Sequence, residues 1–168
     1  MKRFLLIFSL FVMASLEAST VQDGYNAVRN GNYEQGLKIL LPIAEKGDPD
    51  ALYGVGILYK EGWGAEKDLD KAVSFYEKAA EKGHVGAIFD LGWAYQTGQG
   101  KDKNYSKSAE LYEKAATKGH PVAMYGLGGL YLNGLGVDKD VVKAEHWYKQ
   151  SAAAGYPPAI EFVKEEFK

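Results

Sequence analysis

Residues 49–84 read PDALYGVGILYKEGWGAEKDLDKAVSFYEKAAEKGH, and two segments of the same length and similar sequence follow without a gap. Residues 85–120 read VGAIFDLGWAYQTGQGKDKNYSKSAELYEKAATKGH, and residues 121–156 read PVAMYGLGGLYLNGLGVDKDVVKAEHWYKQSAAAGY. A fixed period of roughly 20 to 50 residues is typical of a solenoid, in which each unit buries its apolar face against its neighbours. The sequence therefore predicts an array of similar units.

The pattern within each unit predicts a pair of helices. Ala51, Val55 and Tyr59 recur at a spacing of four residues, which places them on one helical face. Gly56 lies beside them and returns as Gly92 and Gly128, although a glycine inside a helix costs about 1 kcal/mol relative to alanine. Because this glycine recurs in all three repeats, we expect a second helix to pack so closely against it that no side chain would fit between the two helices. Residues 69–82 supply that helix, because their alanines and aromatics also recur at helical spacing.

The junctions between the predicted helices carry matching signals. Asp68 and its counterparts Asn104 and Asp140 are residue types that cap the first turn of a helix. The repeated glycines after the second helix suit a left-handed helix end, and the repeated Gly-x-Gly suits a left-handed turn between the helices. These glycines are Gly83, Gly119 and Gly155 at the helix ends, and Gly62, Gly64, Gly98, Gly100, Gly134 and Gly136 in the turns.

Residues 49–156 as a whole resemble the Sel1-like repeat family, a relative of the tetratricopeptide repeat with a longer loop between its helices. The resemblance rests on the recurring Ala, Gly, Tyr, Gly-x-Gly, Tyr and final Gly, and Ser108 departs from it where the other copies have alanine. It implies an all-α, right-handed superhelix that acts as an adaptor for protein interactions. In cysteine-rich relatives a cysteine pair joins successive helices. This chain has no cysteine. The matching positions are Ala80 and Ala87, Ala116 and Ala123, and Ala152 and Ala159.

Composition narrows the classes of partner. The chain has 168 residues and a formal net charge of −2, with charges of both signs interspersed. No basic stripe is present to neutralise phosphates, so we expect no nucleic-acid partner. We also expect a monomer.

Residues 1–18 read MKRFLLIFSLFVMASLEA, with a basic start, an apolar run and small residues near the end. This order is typical of a secretory signal peptide, and we expect cleavage after Ala18. The alternative, an uncleaved membrane anchor, is disfavoured because the apolar run is shorter than the ~20 residues that a span requires. The mature protein is thus expected to be periplasmic or secreted, with no stable membrane span.

The two ends of the array are expected to be variants of the same unit. Residues 19–48 read as a shorter, degenerate helix pair, with Asn32 at the N-cap position of its second helix and Gly36, Leu40 and Ala44 at repeat positions. Residues 157–168 read as one capping helix, in which Lys164 replaces the repeated glycine. Polar outer faces at the ends keep a solenoid soluble.

No catalytic, cofactor or metal site is predicted. The Gly-x-Gly pairs follow a helix, whereas phosphate-binding glycines follow a strand. His84 and His120 share a repeat position that is also occupied by Asp48 and Tyr156, which indicates a surface corner. None of the serines after residue 18 has a lysine three residues on, so the Ser-x-x-Lys signature of penicillin-recognising enzymes is absent.

The residues that vary between copies are the candidates for binding. On the tetratricopeptide pattern, the inner face of the first helix in each unit would line a concave groove with Tyr53, Ile57, Lys60, Phe89, Trp93, Gln96, Tyr125 and Leu132. The Tyr53, Phe89 and Tyr125 position has an alternative role, which is packing within the repeat. Trp93 differs, because Ile57 and Gly129 occupy its position elsewhere and packing does not require an indole there.

The sequence therefore predicts an exported helical scaffold that binds a protein or peptide in its groove and is not an enzyme. Two alternatives stay open: β-lactam or peptidoglycan binding or hydrolysis, as ascribed to cysteine-rich relatives, and assembly of several copies end to end.

Overall fold

The computed structural model describes residues 19–166, and this part of the chain is entirely helical between its turns. The predicted signal peptide and the last two residues lie outside the described residues. None of the helices in the described range is long and apolar enough to cross a membrane. The nine helices found there are α1 (Val21–Arg29), α2 (Tyr33–Glu45), α3 (Pro49–Glu61), α4 (Leu69–Glu81), α5 (Val85–Thr97), α6 (Tyr105–Ala116), α7 (Pro121–Asn133), α8 (Val141–Ala153) and α9 (Pro157–Glu166).

The helices stack in chain order. Each one packs chiefly on the helix before it and the helix after it, which is the arrangement of a solenoid. We call α3, α5 and α7 the A helices and α4, α6 and α8 the B helices. The all-α solenoid that the repeats predicted is confirmed.

A glycine in each A helix lies directly against a tyrosine of the B helix in the same repeat. A Cβ atom added at Gly56 would lie 2.5 Å from the Tyr76 ring, and one added at Gly92 would lie 2.7 Å from the Tyr112 ring. Both tyrosines are only 2% exposed. The close helix approach inferred from the repeated glycine is therefore confirmed.

The N-terminal helices α1 and α2 also pack through a glycine, but here the glycine lies against a leucine and not a tyrosine. A Cβ added at Gly24 would lie 2.5 Å from Leu40, which occupies the tyrosine position of the later repeats. Gly36, Leu40 and Ala44, the residues assigned to repeat positions, are buried. Asn32 precedes α2 as predicted, but its side chain makes no capping hydrogen bond.

The Gly-x-Gly turns join each repeat to the one before it. Gly62 ends α3 in the left-handed conformation, with φ 74°. The second glycine of the turn packs on main-chain atoms, since a Cβ added at Gly64 would lie 2.6 Å from the Tyr33 carbonyl group. Gly100 meets the Leu69 carbonyl oxygen in the same way, with an added Cβ at 2.8 Å. The turn thus places each repeat on the first residue of a helix in the preceding unit, which is Tyr33 of α2 for Gly64 and Leu69 of α4 for Gly100.

The corner between repeats is not the simple surface corner that the sequence indicated. His84 and His120 are half-buried and cap the next A helix, because the Nδ1 of each accepts a hydrogen bond from the main-chain N–H of Ala87 or Ala123, at 3.1 and 3.2 Å. Asp48 caps α3 identically through Oδ1. The position accepts histidine and aspartate because both can accept this hydrogen bond.

The remaining junctions agree with the prediction. Asp68, Asn104 and Asp140 each cap a B helix through a side-chain oxygen. Of the alanine pairs at the seams between repeats, all members are buried except Ala152, which is half-buried. On α9, Lys164 and the nearby glutamates are exposed, as expected for a polar end of the array.

We expect Gly92→Leu to lower the unfolding midpoint far more than Gly62→Ala. A leucine at residue 92 would overlap the Tyr112 ring, and overpacking of a core costs about 1–3 kcal/mol or more. An alanine at residue 62 bears the cost of the left-handed conformation, about 1–2 kcal/mol, and its Cβ would lie 3.2 Å from the Cβ of Lys67, an exposed side chain on the same loop. Thermal and urea unfolding of both variants would measure the difference. Equal midpoints would show that the helix pair is not held by this contact.

The two histidine caps should make the fold sensitive to mild acid. Burial lowers the pKa of His84 and of His120 below the ordinary value of 6.5, although Asp50 and Asp90 oppose the shift at His84 and Asp90 opposes it at His120. Because the pKa of each histidine is lower in the folded than in the unfolded chain, the neutral histidines contribute fully to the free energy of unfolding above pH 6.5. This contribution is lost as the pH falls from 6.5 through the folded-state pKa. Protonation of Nδ1 abolishes a cap worth about 0.5–2 kcal/mol.

The matched control replaces both histidines by the residue that caps α3. His84→Asp with His120→Asp should reduce the loss of unfolding free energy between about pH 7.5 and pH 5, because an aspartate cap titrates at lower pH. Urea titrations of both proteins at the two pH values test this. The same pH dependence in the variant would contradict the assignment of the histidines as acid-sensitive caps.

Candidate functional site

The predicted groove residues lie on the exposed side of the A helices, and we call this surface the A-helix face. Every one of them is half-buried, so each combines packing below with a solvent-accessible edge above. They are Tyr53, Ile57 and Lys60 on α3, Phe89, Trp93 and Gln96 on α5, and Tyr125 and Leu132 on α7.

The aromatic row of this face packs within and between repeats. Tyr53 lies 5.6 Å from the Tyr76 ring and 4.3 Å from the His84 ring, measured between ring centroids. Phe89 repeats this arrangement on Tyr112 and His120, at 5.7 and 4.6 Å. Tyr125 contacts Tyr148, Tyr156 and Phe162. The alternative role of this position, which is packing, therefore accounts for its aromatic character.

The structure brings Tyr53, Lys60 and Trp93 together around a residue that was not among the predicted ones. Asp90 accepts a hydrogen bond from the Tyr53 hydroxyl at 2.9 Å, and its Oδ1 lies 4.0 Å from the Lys60 ammonium. Its side chain is 11% exposed. Asp90 is the one acidic residue with a buried side chain in residues 19–166.

Burial controls the charge of this carboxyl. It raises the pKa of Asp90 above the ordinary value of 3.8, while Lys60 and the Tyr53 hydrogen bond act in the opposite direction. Burial also raises the pKa of the Tyr53 hydroxyl, and the Asp90 charge adds to that effect. Tyr53 is therefore a neutral hydroxyl that donates a hydrogen bond to the Asp90 carboxylate.

A small cavity connects Asp90 with the neighbouring repeat. Its lining includes Lys60, Tyr76, Asp90 and Trp93. The Tyr76 hydroxyl is buried and has no hydrogen-bond partner among the described residues. The cavity holds only about 10 Å³ and is lined mainly by apolar atoms, so it is a packing gap between the first two repeats.

The next repeat lacks this set of polar groups. Gln96 occupies the Lys60 position, and its side-chain oxygen accepts a hydrogen bond from the Tyr112 hydroxyl at 2.6 Å. Gly126 occupies the Asp90 position and packs directly on the Tyr112 ring, with an added Cβ at 2.8 Å. The tyrosine of the B helix is therefore satisfied in the second repeat, whereas its counterpart in the first repeat is not.

Sequence comparison could have found Asp90. At this repeat position the first and third repeats have Gly54 and Gly126, so the second repeat alone carries a charge where its neighbours have no side chain. Asp90 is not aromatic, so the variable aromatic residues that predict a binding face do not include it.

The exposed apolar residues lie away from this cavity. Trp63 is 38% exposed and stacks on Tyr33 at 4.8 Å between centroids, at the turn after α3. Val141 and Val142 are exposed at the start of α8. Within residues 19–166, no group of three or more His, Cys, Asp or Glu side chains is arranged to hold a metal ion.

Known repeat proteins resemble this chain in both sequence and fold. The Sel1 repeat family model matches residues 49–84, 85–120 and 121–156. A Sel1 repeat protein from Oxalobacter formigenes is 32% identical, with a TM-score of 0.81, over 86% of this chain and 59% of that one. A protective antigen of uropathogenic Escherichia coli that displays an SLR fold is 28% identical, with a TM-score of 0.78, over 88% of this chain and 34% of that one.

A more distant structure shares the fold alone. Helicobacter pylori cysteine-rich protein B is 19% identical, with a TM-score of 0.59, over 86% of this chain and 97% of that one. The present chain spans less than two thirds of the length of the first two relatives. Sel1 repeats are helical scaffolds that typically mediate protein interactions. With three family matches over more than half of its length, this chain belongs to the Sel1 repeat family.

Proposed function

We propose that this protein is an exported scaffold that binds a protein or peptide along the A-helix face and acts without catalysis. The observation that carries the proposal is the position of Trp93. It is a half-buried indole on the middle A helix, where Ile57 and Gly129 stand in the flanking repeats. Large aromatics with an accessible edge are the usual anchors of protein interfaces.

The packing of the A-helix face supports this role for Trp93 over its aromatic neighbours. Tyr53, Phe89 and Tyr125 are each held by several rings, and their exchange would disturb the stacking of the repeats. The Trp93 position instead tolerates a residue without a side chain in the third repeat. Packing of the repeats therefore does not fix the residue type at this position, and an indole there can be used to bind a partner.

Export is the second part of the proposal, and it rests on the sequence. Lys2 and Arg3 precede an apolar run, and small residues follow near Ala18. We propose that the mature chain works in the periplasm or outside the cell, as a monomer. N-terminal sequencing of the protein recovered from the envelope and medium, with light scattering of the purified chain, would test both points.

Three serines of the repeats, Ser106, Ser108 and Ser151, give the hydrolase alternative no support. Ser108 and Ser151 are fully buried, and the Ser151 hydroxyl donates a hydrogen bond to the Pro121 carbonyl oxygen at 2.7 Å. The Ser106 hydroxyl donates to the Gly136 carbonyl oxygen at 2.9 Å. A serine nucleophile needs an accessible hydroxyl beside a base, and none of these three serines offers one. Turnover of nitrocefin by the purified chain would favour the alternative.

We expect Trp93→Ile to weaken partner binding by about 2 kcal/mol, or roughly 30-fold, while leaving the unfolding midpoint close to that of the wild type. Isoleucine is the residue that the first repeat carries at this position, so it should pack acceptably on α5. Trp93→Ala should weaken binding as much and cost more stability, because the indole is half-buried. Denaturant unfolding measures the stability of both variants.

Binding can be measured before the partner is known. A photo-crosslinking amino acid at Ile57 would be compared in intact cells with the same group at Glu113, which is exposed on a B helix. A discrete adduct from residue 57 that Trp93→Ile abolishes supports the proposal. A core-sized loss of about 3–5 kcal/mol in Trp93→Ala would instead assign the indole to packing.

A further inference from the structure

An open groove lies between the helices α4 and α6, and it shares no residue with the A-helix face. Its volume is about 490 Å³. Tyr95 of α5 and Leu111 of α6 are its large apolar lining residues besides the buried Leu91. We call it the α4–α6 groove. Its charged lining residues are Glu77 and Glu81 on α4, and Lys107 and Lys114 on α6.

In the flanking repeats, the chain itself covers the tyrosine that corresponds to Tyr95. Tyr59 stacks on Phe75, with 5.8 Å between the ring centroids and 8° between the planes, and the Lys71 ammonium lies 5.2 Å from the centre of the Tyr59 ring. In the third repeat, a lysine ammonium lies 5.1 Å from the centre of the corresponding ring. This repeat position thus presents a ring that aromatic and cationic groups can cover.

The second repeat lacks both covering groups. Leu111 stands where the first repeat has Phe75, and it is smaller than an aromatic residue. Lys107 stands where the flanking repeats have the lysine over the ring, but its ammonium lies 2.8 Å from the Glu110 carboxylate. Among residues 19–166, no aromatic ring stacks on Tyr95 and no lysine ammonium lies over its ring. The half-buried Tyr95 therefore lines the groove uncovered.

Two differences in sequence account for the position of Lys107. Lys71 of the first repeat lies 3.4 Å from Asp68, the charged cap of its own helix. The cap of α6 is the uncharged Asn104. Glu110, which pairs with Lys107, occurs only in the second repeat, since the other two have serine and histidine at that position.

The two sides of the groove carry unpaired charges of opposite sign. On α4, Glu77 is paired with Lys101 at 2.8 Å, whereas the exposed Glu81 has no ion pair within the described range. On α6, the exposed Lys114 likewise has no ion pair among the described residues. A partner with a basic residue towards α4 and an acidic residue towards α6 complements both charges.

We propose that the α4–α6 groove is a second docking site, which receives an aromatic side chain of a protein partner. The partner's ring takes the place that Phe75 fills in the first repeat, so it stacks on Tyr95 beside Leu111. A basic residue next to that ring pairs with Glu81, and an acidic residue on its other side pairs with Lys114. This site goes beyond the proposed function, because it does not involve Trp93 or any other residue of the A-helix face.

The test uses a random peptide library displayed on phage and selected against the purified protein. Peptides that no longer bind to Leu111→Phe are retained, because this variant installs the residue of the first repeat and fills the groove from within. We expect these peptides to share an aromatic residue between a basic and an acidic one. Its replacement by alanine should weaken binding at least about tenfold. The matched control, Trp93→Ile, should bind these peptides as tightly as the wild type does.

Two further kinds of variant test the contacts. Tyr95→Leu keeps an apolar residue but removes the stacking surface, so it should weaken binding by about three- to tenfold. It also replaces Leu111→Phe in the selection if that variant has a lowered unfolding midpoint. Glu81→Gln and Lys114→Gln should each weaken binding by about two- to fivefold, the usual size for an exposed ion pair. The effect of Glu81→Gln should vanish once the basic residue of the peptide is replaced by norleucine.

Several results would overturn the inference. These are a selection that yields no peptide dependent on Tyr95 and Leu111, retained peptides without an aromatic residue, and unchanged affinity in both charge variants. Peptides that depend on Trp93 alone would overturn it as well and leave the proposed function standing. If light scattering shows a dimer that Leu111→Phe converts to a monomer, the groove binds a second copy of the chain, which also contradicts the proposal.

Discussion

The contact between a glycine of each A helix and a tyrosine of its B helix is the constraint on which this solenoid depends. It holds the two helices so close that a Cβ at Gly56 or Gly92 would fall within the tyrosine ring's van der Waals envelope. The buried rings of Tyr76 and Tyr112 then form the floor on which Tyr53 and Phe89 lie. The glycine–tyrosine contact that holds each helix pair together therefore also fixes the positions of the aromatic residues on the A-helix face.

Repetition explains which features could be predicted from the sequence. Gly92 has a glycine at the same position in the other two repeats, and Asp68 has another N-cap residue there. Each copy therefore gives independent evidence for the same helix contact and the same helix start. The capping role of His84 could not be predicted, because histidine is not a usual N-cap residue. Its Nδ1 nevertheless accepts the same main-chain hydrogen bond as Oδ1 of Asp48. Asp90 was missed for a different reason: it occurs once, and its significance depends on neighbours that only the packing reveals. The accessibility of Trp93 likewise depends on the packing of successive helices, which periodicity does not specify.

The residues of the A-helix face thus have two roles. Those that recur as aromatics hold the repeats in register, and those that differ from copy to copy gather around the second repeat. The first repeat contributes Lys60, and the second contributes Trp93 and the largely buried carboxylate of Asp90. Neighbouring repeats with the same main-chain arrangement can therefore carry quite different surface chemistry, because the helix contact beneath them does not change.

The turn glycines have a consequence for the evolution of such chains. Gly64 and Gly100 rest on carbonyl groups of the preceding repeat, at residues 33 and 69, where one repeat has tyrosine and the other leucine. Because this joint contacts the main chain, it is largely indifferent to which side chain stands there. A newly duplicated copy therefore finds a compatible docking surface on its parent at once. Arrays of different lengths can arise by recombination, and the copies can diverge afterwards without losing their connection.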